Sequence, residues 1–325
     1  MRLSEAQQDR ARGVLLGAAC GDALGAGYEF GSAPLPPPGT PPAMIGGGLG
    51  GFAVGEWTDD TAQAMAVAEV AATGMDLRDD DALTEVARRF ADWYAGGPAD
   101  IGIQTRMVLA AAGRTPTATG SRAAATAVHE RTGRSGGNGS LMRTAPVALA
   151  HLDDPVALVD AAMAVSALTH HDPNAGEACA LWCLFIRRAV LDGSLDAVRR
   201  ELAHLPPGAH AFWEARLDEA ETRSPGTFRP NGWVVTALQA AWASIAQTPV
   251  PADESPRHLQ DALETAIRIG DDTDTVAAIA GGLLGARWGA AAVPGEWRAL
   301  VHGWPGLRAD DLVPITDRIV AGQSQ

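Results

Sequence analysis

The 325-residue sequence predicts an all-α protein, folded as a single compact multi-helix domain over residues 1–325. Three observations carry the prediction. Alanine dominates long stretches that favour helix. β-branched residues rarely alternate with polar ones over the roughly four to eight positions that a strand needs. No pair of such runs is joined by turn residues as in a hairpin.

The expected elements follow in order. The first helix covers Ala6–Ala23, followed by Asp59–Ala72, Ala82–Tyr94 and Gln104–Ala112. The middle of the chain supplies Pro155–Thr169, Ala175–Leu191, Ala209–Arg223 and Gly232–Ala246. Pro256–Ile269, Thr273–Trp288 and Asp310–Val320 complete the set. Asp81, Asn174 and Ser194 stand where N-caps are expected, since their side-chain oxygens can accept from free first-turn N–H groups. Pro34 to Gly55 is rich in proline and glycine and reads as irregular chain. Loops of that length in compact domains often serve as lids or binding loops. A second interruption, Gly133 to Gly139, is short and glycine-rich. Helical pattern of the same composition resumes beyond both, so neither reads as a domain linker.

Composition excludes several functions. Thirty-nine acidic residues against 25 basic ones give a net charge of −14, so no general nucleic-acid or membrane surface is expected. All 25 basic residues are arginine, which removes lysine Schiff-base chemistry and the lysine-bearing phosphate loop. The three cysteines, Cys20, Cys179 and Cys183, form no CxxC pair and suit a reducing compartment, and Cys179 and Cys183, one helical turn apart, read as small buried hydrophobes. The polar start MRLSEAQQDR lacks a signal-peptide core, and Val276 to Ala286 is too short to span a bilayer. A cytoplasmic monomer is the expectation.

Helical packing does not explain two recurring clusters. Residues 57–61 read Trp-Thr-Asp-Asp-Thr, and residues 271–275 read Asp-Asp-Thr-Asp-Thr, each where a loop becomes an apolar helix. One Asp would be an ordinary cap worth about 1 kcal/mol. Two or three carboxylates repel one another beyond that need and call for a cation. Oxygen ligands without His or Cys suit Mg²⁺, Mn²⁺ or Ca²⁺. Either cluster alone is equally explained by an over-capped surface helix; the recurrence favours a shared cation site. Asp22 and Glu29 lie in a small-residue stretch, Gly17 to Gly31, where spacing alone favours simple close packing. The segment GRSGGNGSLMRTAP at 133–146 is a glycine-rich turn whose amides suit an anion, although a flexible surface loop would read the same. His170 and His171 close one helix, and at most one of them faces a site. Among the tryptophans, Trp233 stands out because it follows a Pro-Asn-Gly turn.

In order along the chain, GDALGAGYE at 21–29, EWTDDT at 56–61, GNGSLMRTAP at 137–146, LTH at 168–170 and GDDTDT at 270–275 resemble the ADP-ribosylglycohydrolase family. The resemblance runs over nearly the whole chain, and the two aspartate motifs are its specific part. It implies an all-helical fold with two Mg²⁺ or Mn²⁺ ions in an ADP-ribose cleft. It implies Thr58, Asp59, Asp60, Asp272, Asp274 and Thr275 as metal ligands, with Asp271 as a neighbour. It implies Glu29 in catalysis and gating, more for turnover than for metal binding. It also implies that Ser135, Gly136, Gly137, Asn138 and Gly139 meet the diphosphate and distal ribose, with His170 in the same substrate site. Some relatives carry an aromatic residue where Gly136 stands, so Trp233 is the candidate for adenine stacking. The implied partner is ADP-ribose or an ADP-ribosylated acceptor, and the implied reaction is hydrolysis of the bond between them. A two-metal phosphohydrolase and a non-catalytic ADP-ribose-binding relative are the alternatives. The acceptor itself is not readable from these motifs.

Overall fold

The structure, a computed structural model, describes residues 2–252 and 256–322. The remaining residues of the expected 1–325 domain lie outside the described ones. Fourteen α-helices are present among the described residues. They are α1 (Glu5–Gly25), α2 (Asp59–Ala71), α3 (Asp80–Ala95), α4 (Ile103–Ala112) and α5 (Ala118–Thr132). Next come α6 (Ala145–Ala150), α7 (Pro155–Ala167), α8 (Pro173–Asp192), α9 (Ala209–Thr222) and α10 (Val234–Ala246). The last are α11 (Arg257–Ile269), α12 (Thr273–Trp288), α13 (Gly295–Leu300) and α14 (Ala309–Gly322). The all-α expectation holds. A two-residue hairpin, β1 (His302–Gly303) with β2 (Leu307–Arg308), is the small exception.

Helices α5, α6 and α13 are additions to the sequence reading. Two caps are corrected by register: Asp79 and Asp172 occupy the cap positions of α3 and α8, which puts Asp81 and Asn174 inside the first turns. Ser194 caps no α-helix; its hydroxyl accepts from the Asp196 N–H at 3.1 Å.

The pairing that matters most joins α1 to α12, antiparallel and unusually close. A Cβ placed on Gly13, Gly17 or Gly21 would fall 2.2, 2.3 and 2.1 Å from the carbonyl oxygens of Gly285, Gly281 and Ala277. No side chain fits there, so four-residue glycine spacing lets the backbones touch. Gly25 continues the seam, its missing Cβ lying 2.5 Å from the Asp274 backbone. The contact sets the end of α1 against the start of α12. Around the pair, α8, α10, α11 and α14 complete one apolar cluster running from Leu3 to Ile319. Trp182 of α8 locks to α12 through its indole N–H, which donates to the Ile279 carbonyl at 3.0 Å. A small satellite cluster of Val108, Ala124, Ala125 and Val128 holds α4 to α5. Cys179 and Cys183 are buried and free, as expected, and Cys20 is buried and free as well.

The Pro34–Gly55 segment is irregular and yet tethered. Arg268 of α11 donates to the carbonyls of Pro36, Pro37 and Thr40 at 3.0, 3.2 and 2.9 Å. The Tyr28 hydroxyl both donates to Ala43 O and accepts from Ala43 N. This fixes the loop over the turn that carries Glu29.

Candidate active site

Two helix starts, α2 and α12, meet the end of α1 at one point. Asp22 of α1 is fully buried and accepts from Thr58 N at 3.0 Å, Thr61 N at 3.0 Å and the Thr61 hydroxyl at 2.6 Å. A neighbouring helix therefore satisfies the first N–H groups of α2, together with the Thr58 hydroxyl, which accepts from Asp60 N at 3.4 Å. Asp60 N and Thr61 N are thus capped without the Asp59 and Asp60 carboxylates.

The carboxylates gather into two triads. Ligand atoms of Asp22, Asp60 and Asp274 lie within 4.8 Å of one another, and so do those of Glu29, Asp272 and Asp274. Asp274 belongs to both. The hydroxyls of Thr58 and Thr275 donate to Asp60 Oδ2 at 3.0 and 3.2 Å. Asp60 Oδ1 and Glu29 Oε2 are buried without a hydrogen-bond partner. Leaving charged oxygens in that state costs several kcal/mol, roughly 1–3 kcal/mol even for a neutral group. Burial, reinforced by neighbouring negative charge, raises the carboxyls: Asp59 to about 7, Glu29 to about 8, and Asp60 and Asp274 well above their ordinary range. Burial also raises Asp22, to about 6, against the pull of its hydrogen bonds to Thr61 and Thr58. A divalent cation answers both the missing partners and the repulsion, and an all-oxygen donor set suits Mg²⁺ or Mn²⁺.

Above the triads opens a cleft of about 390 Å³. Glu29, Asp59, Asp272, Asp274 and Thr275 form one side, and Gly137, Asn138, Gly139 and His170 the other. Asn138 joins the two, its Nδ2 donating to Asp272 Oδ2 at 2.7 Å. The loop is held by pairing with the start of α10: Asn138 N donates to Gly232 O and Val234 N to Gly136 O. The Asn138 amide is thus engaged within the protein. A 3₁₀ turn at Asn138–Ser140 follows, and α6 begins only at Ala145. Ser135 is buried beneath the loop, its hydroxyl 2.6 Å from His129 Nδ1. Trp233 is 48% exposed, with its indole nitrogen 3.2 Å from where a Gly136 Cβ would stand, on the outer side of the loop. Ser135, Gly136 and Trp233 do not line the cleft.

Several residues here escaped the sequence reading. Asp100 and Gln104 line the cleft, and Gln104 Nε2 donates to Ser135 O and Thr169 O at 2.9 and 3.0 Å. Arg143 is fully buried against the Phe90 ring and donates to Gln63 Oε1 and the Thr169 hydroxyl, both at 2.6 Å. Gln63 passes the contact to Asp59 Oδ2 at 2.9 Å, and the Thr169 hydroxyl lies 2.7 Å from His170 Nδ1. One guanidinium thus braces both sides of the cleft. Burial lowers it to about 10, and burial with Arg143 nearby holds His170 neutral. The signal was present in the LMRTAP segment as an arginine amid apolar residues. Asp22 was visible only as a carboxylate at the end of a glycine-rich helix.

The ADP-ribosylglycohydrolase family pattern matches residues 3–325. The chain belongs to this family. Among curated ADP-ribosylglycohydrolase relatives, the ADP-ribosylarginine hydrolase Tri1 of Pseudomonas putida (strain GB-1) is 32% identical over 302 residues. That match covers 89% of this chain and 73% of the relative. The ADP-ribosyl-[dinitrogen reductase] glycohydrolase of Rhodospirillum rubrum is 28% identical over 293 residues, covering 89% of each chain. A solved structure described as an ADP-ribosylglycohydrolase-related protein complex superposes with a TM-score of 0.70 at 28% identity. It covers 98% of this chain and 99% of its own. Among the described residues of this family member, no helix is long and apolar enough to cross a membrane.

Proposed function

We propose that this chain hydrolyses the glycosidic bond between ADP-ribose and an acceptor, releasing ADP-ribose, with two Mg²⁺ or Mn²⁺ ions in the carboxylate cluster. The observation that carries the reading is the pair of buried triads sharing Asp274 beneath a cleft whose far wall is Gly137–Gly139 and His170. The named activities of the relatives support the acceptor class and favour arginine.

Asp22, Asp60 and Asp274 would hold one cation, and Glu29, Asp272 and Asp274 the other, with Thr58, Asp59 and Thr275 beside them. Bound cations would supply positive charge that binds ribose hydroxyls and acidifies a water molecule. Glu29 faces the cleft with an unpartnered oxygen, which can accept the proton of the attacking water. The bond broken is that between the anomeric carbon and the acceptor, through an oxocarbenium-like transition state. Gly137, Asn138, Gly139 and His170 hold the diphosphate side of the substrate, and Asn138 keeps Asp272 oriented.

The test is product analysis. The purified protein with Mg²⁺ and ADP-ribosylated arginine is expected to release free ADP-ribose. Release of AMP instead would mark a phosphohydrolase, and no turnover of any ADP-ribosylated acceptor would mark a binding protein.

A further inference from the structure

A second cavity, of about 190 Å³, lies on the far side of Asp59 and Asp100. Those two residues line it and the main cleft alike, so the two spaces adjoin along them. Its walls bring together Trp57, Trp93 and Trp304 with the carboxylates of Glu56, Asp59 and Asp100, and no cationic side chain lines it. Trp57 and Trp93 are buried in the wall and Trp304 is partly exposed, so one accessible indole beside carboxylates, with no positive charge, suits a planar cation. A guanidinium meets that description: it stacks on indole rings, pairs with carboxylates through paired N–H groups and sheds water more easily than an ammonium. At roughly 30 Å³ per water, the space admits a guanidinium with part of its alkyl stem.

The cavity is rigidly built. Trp57 N donates to His302 O at 2.9 Å and His302 N to Gly55 O at 3.0 Å, which clamps Glu56 between two backbone bonds. Glu56 Oε2 accepts from Ala53 N at 2.7 Å, which orients the carboxylate. The Trp57 indole N–H donates to the Trp304 carbonyl at 3.1 Å, so the two tryptophans are tied together.

We propose that this cavity is the acceptor subsite, in which the arginine guanidinium of the substrate pairs with Glu56 and stacks on Trp304 while the ADP-ribose occupies the main cleft. The scissile bond then lies beside Asp59 and Asp100, where the two spaces adjoin. The proposal rests on the glycohydrolase reading and adds the residues that select the acceptor.

The test compares the parent with Glu56→Gln and Trp304→Ala, the latter keeping the carbonyl that binds Trp57. Both variants are expected to raise KM for ADP-ribosylarginine about tenfold, with kcat falling less than KM rises. Affinity for free ADP-ribose, measured by calorimetry, stays within about twofold of the parent, which shows that the main cleft is intact. Methylguanidine, titrated alone, binds the parent and loses that binding in Glu56→Gln. Unchanged KM in both variants, or a parent that cleaves ADP-ribosylserine as efficiently as ADP-ribosylarginine, overturns the proposal. A parent that releases ADP-ribose from no acceptor overturns the glycohydrolase reading instead. The methylguanidine titration then still decides the cavity, since it needs no turnover.

Discussion

Glu29 shows how far a single residue's role can be read before its neighbours are known. Spacing placed it on a small-residue turn, and the family resemblance lent it a part in turnover. In the folded protein it sits beside Asp272 and Asp274 and has a buried oxygen without a partner. Glu29→Gln is therefore expected to cut kcat by about 10²–10⁴-fold, the range of acid–base assistance. It should also weaken one of two cation-binding events, by at least the roughly 10–100-fold seen when an outer metal partner is lost. Calorimetry with Mn²⁺ that leaves both events unaltered would remove Glu29 from the cation site. His258 offers a different check, away from the cleft. Its Nε2 lies 3.2 Å from both Ile245 O and Thr248 O, and Nδ1 accepts from the Trp288 indole at 3.2 Å. A second ring proton would oppose that indole N–H, and burial lowers the pKa. The folded ring binds fewer protons than the unfolded one, so this stability is full above about 6.5 and is lost as pH falls through the window below it. Urea titrations are expected to show less stability at pH 5 than at pH 7, and His258→Gln, which keeps one donor and one acceptor, should reduce that difference, the buried His151 and His170 supplying the rest. An equal slope in both proteins would exclude His258 as its source.

Among the elements, the seam between α1 and α12 decides where the aspartates meet. The small-residue run in α1 was legible, but its partner was not, because Gly281 and Gly285 lie in a stretch that reads as ordinary apolar helix. Gly21→Ala forces a methyl group to within about 2.1 Å of the Ala277 carbonyl, so the two helices must separate. Overpacking of this kind costs typically ~1–3 kcal/mol. Because Asp22 and Asp274 ride on the two helices, cation affinity should fall along with Tm. Gly226→Ala, where nothing lies within 4 Å, is the matched control. A Gly21 variant with lowered Tm and parental cation affinity would show that the seam does not set the site. Other elements hid for simple reasons. Helix α5 buries mostly small residues such as Ala118, Ser121 and Ala125, so no apolar stripe announces it. Helices α6 and α13 have six residues each, too few to show a period. The run Asp79–Asp80–Asp81 offers three equivalent caps, and only packing chooses the first.

For the whole molecule, the aspartate motifs foretold that a charged centre exists, whereas Asp22, Asp100 and Arg143 reach it only through long-range packing. A chain of net charge −14 that buries six of its carboxylates together gains stability from any cation it binds there. Mg²⁺ or Mn²⁺ should raise Tm with the logarithm of its concentration above Kd, stability rising by about 2.7 kcal/mol per site at a hundred times Kd, and a chelator should reverse it. A melting curve indifferent to both ions and chelator would deny the cluster its cations. The same seam has a temporal side. Thr273 donates to the Gly25 carbonyl across a separation of 248 residues, so α1 leaves the ribosome long before its mate exists. Domains usually condense as synthesis proceeds, yet here the earliest helix must stay available, its flat glycine face unfilled, until α12 arrives. Closing so wide a loop is slow, and it places completion of the catalytic centre among the last events of folding. In pulsed hydrogen exchange during refolding, the α1 amides are expected to gain protection no earlier than those of α12, and cation binding to follow both. Catalytic competence would then mark the finished molecule, and a nascent glycohydrolase would stay silent toward its substrate until its seam has closed.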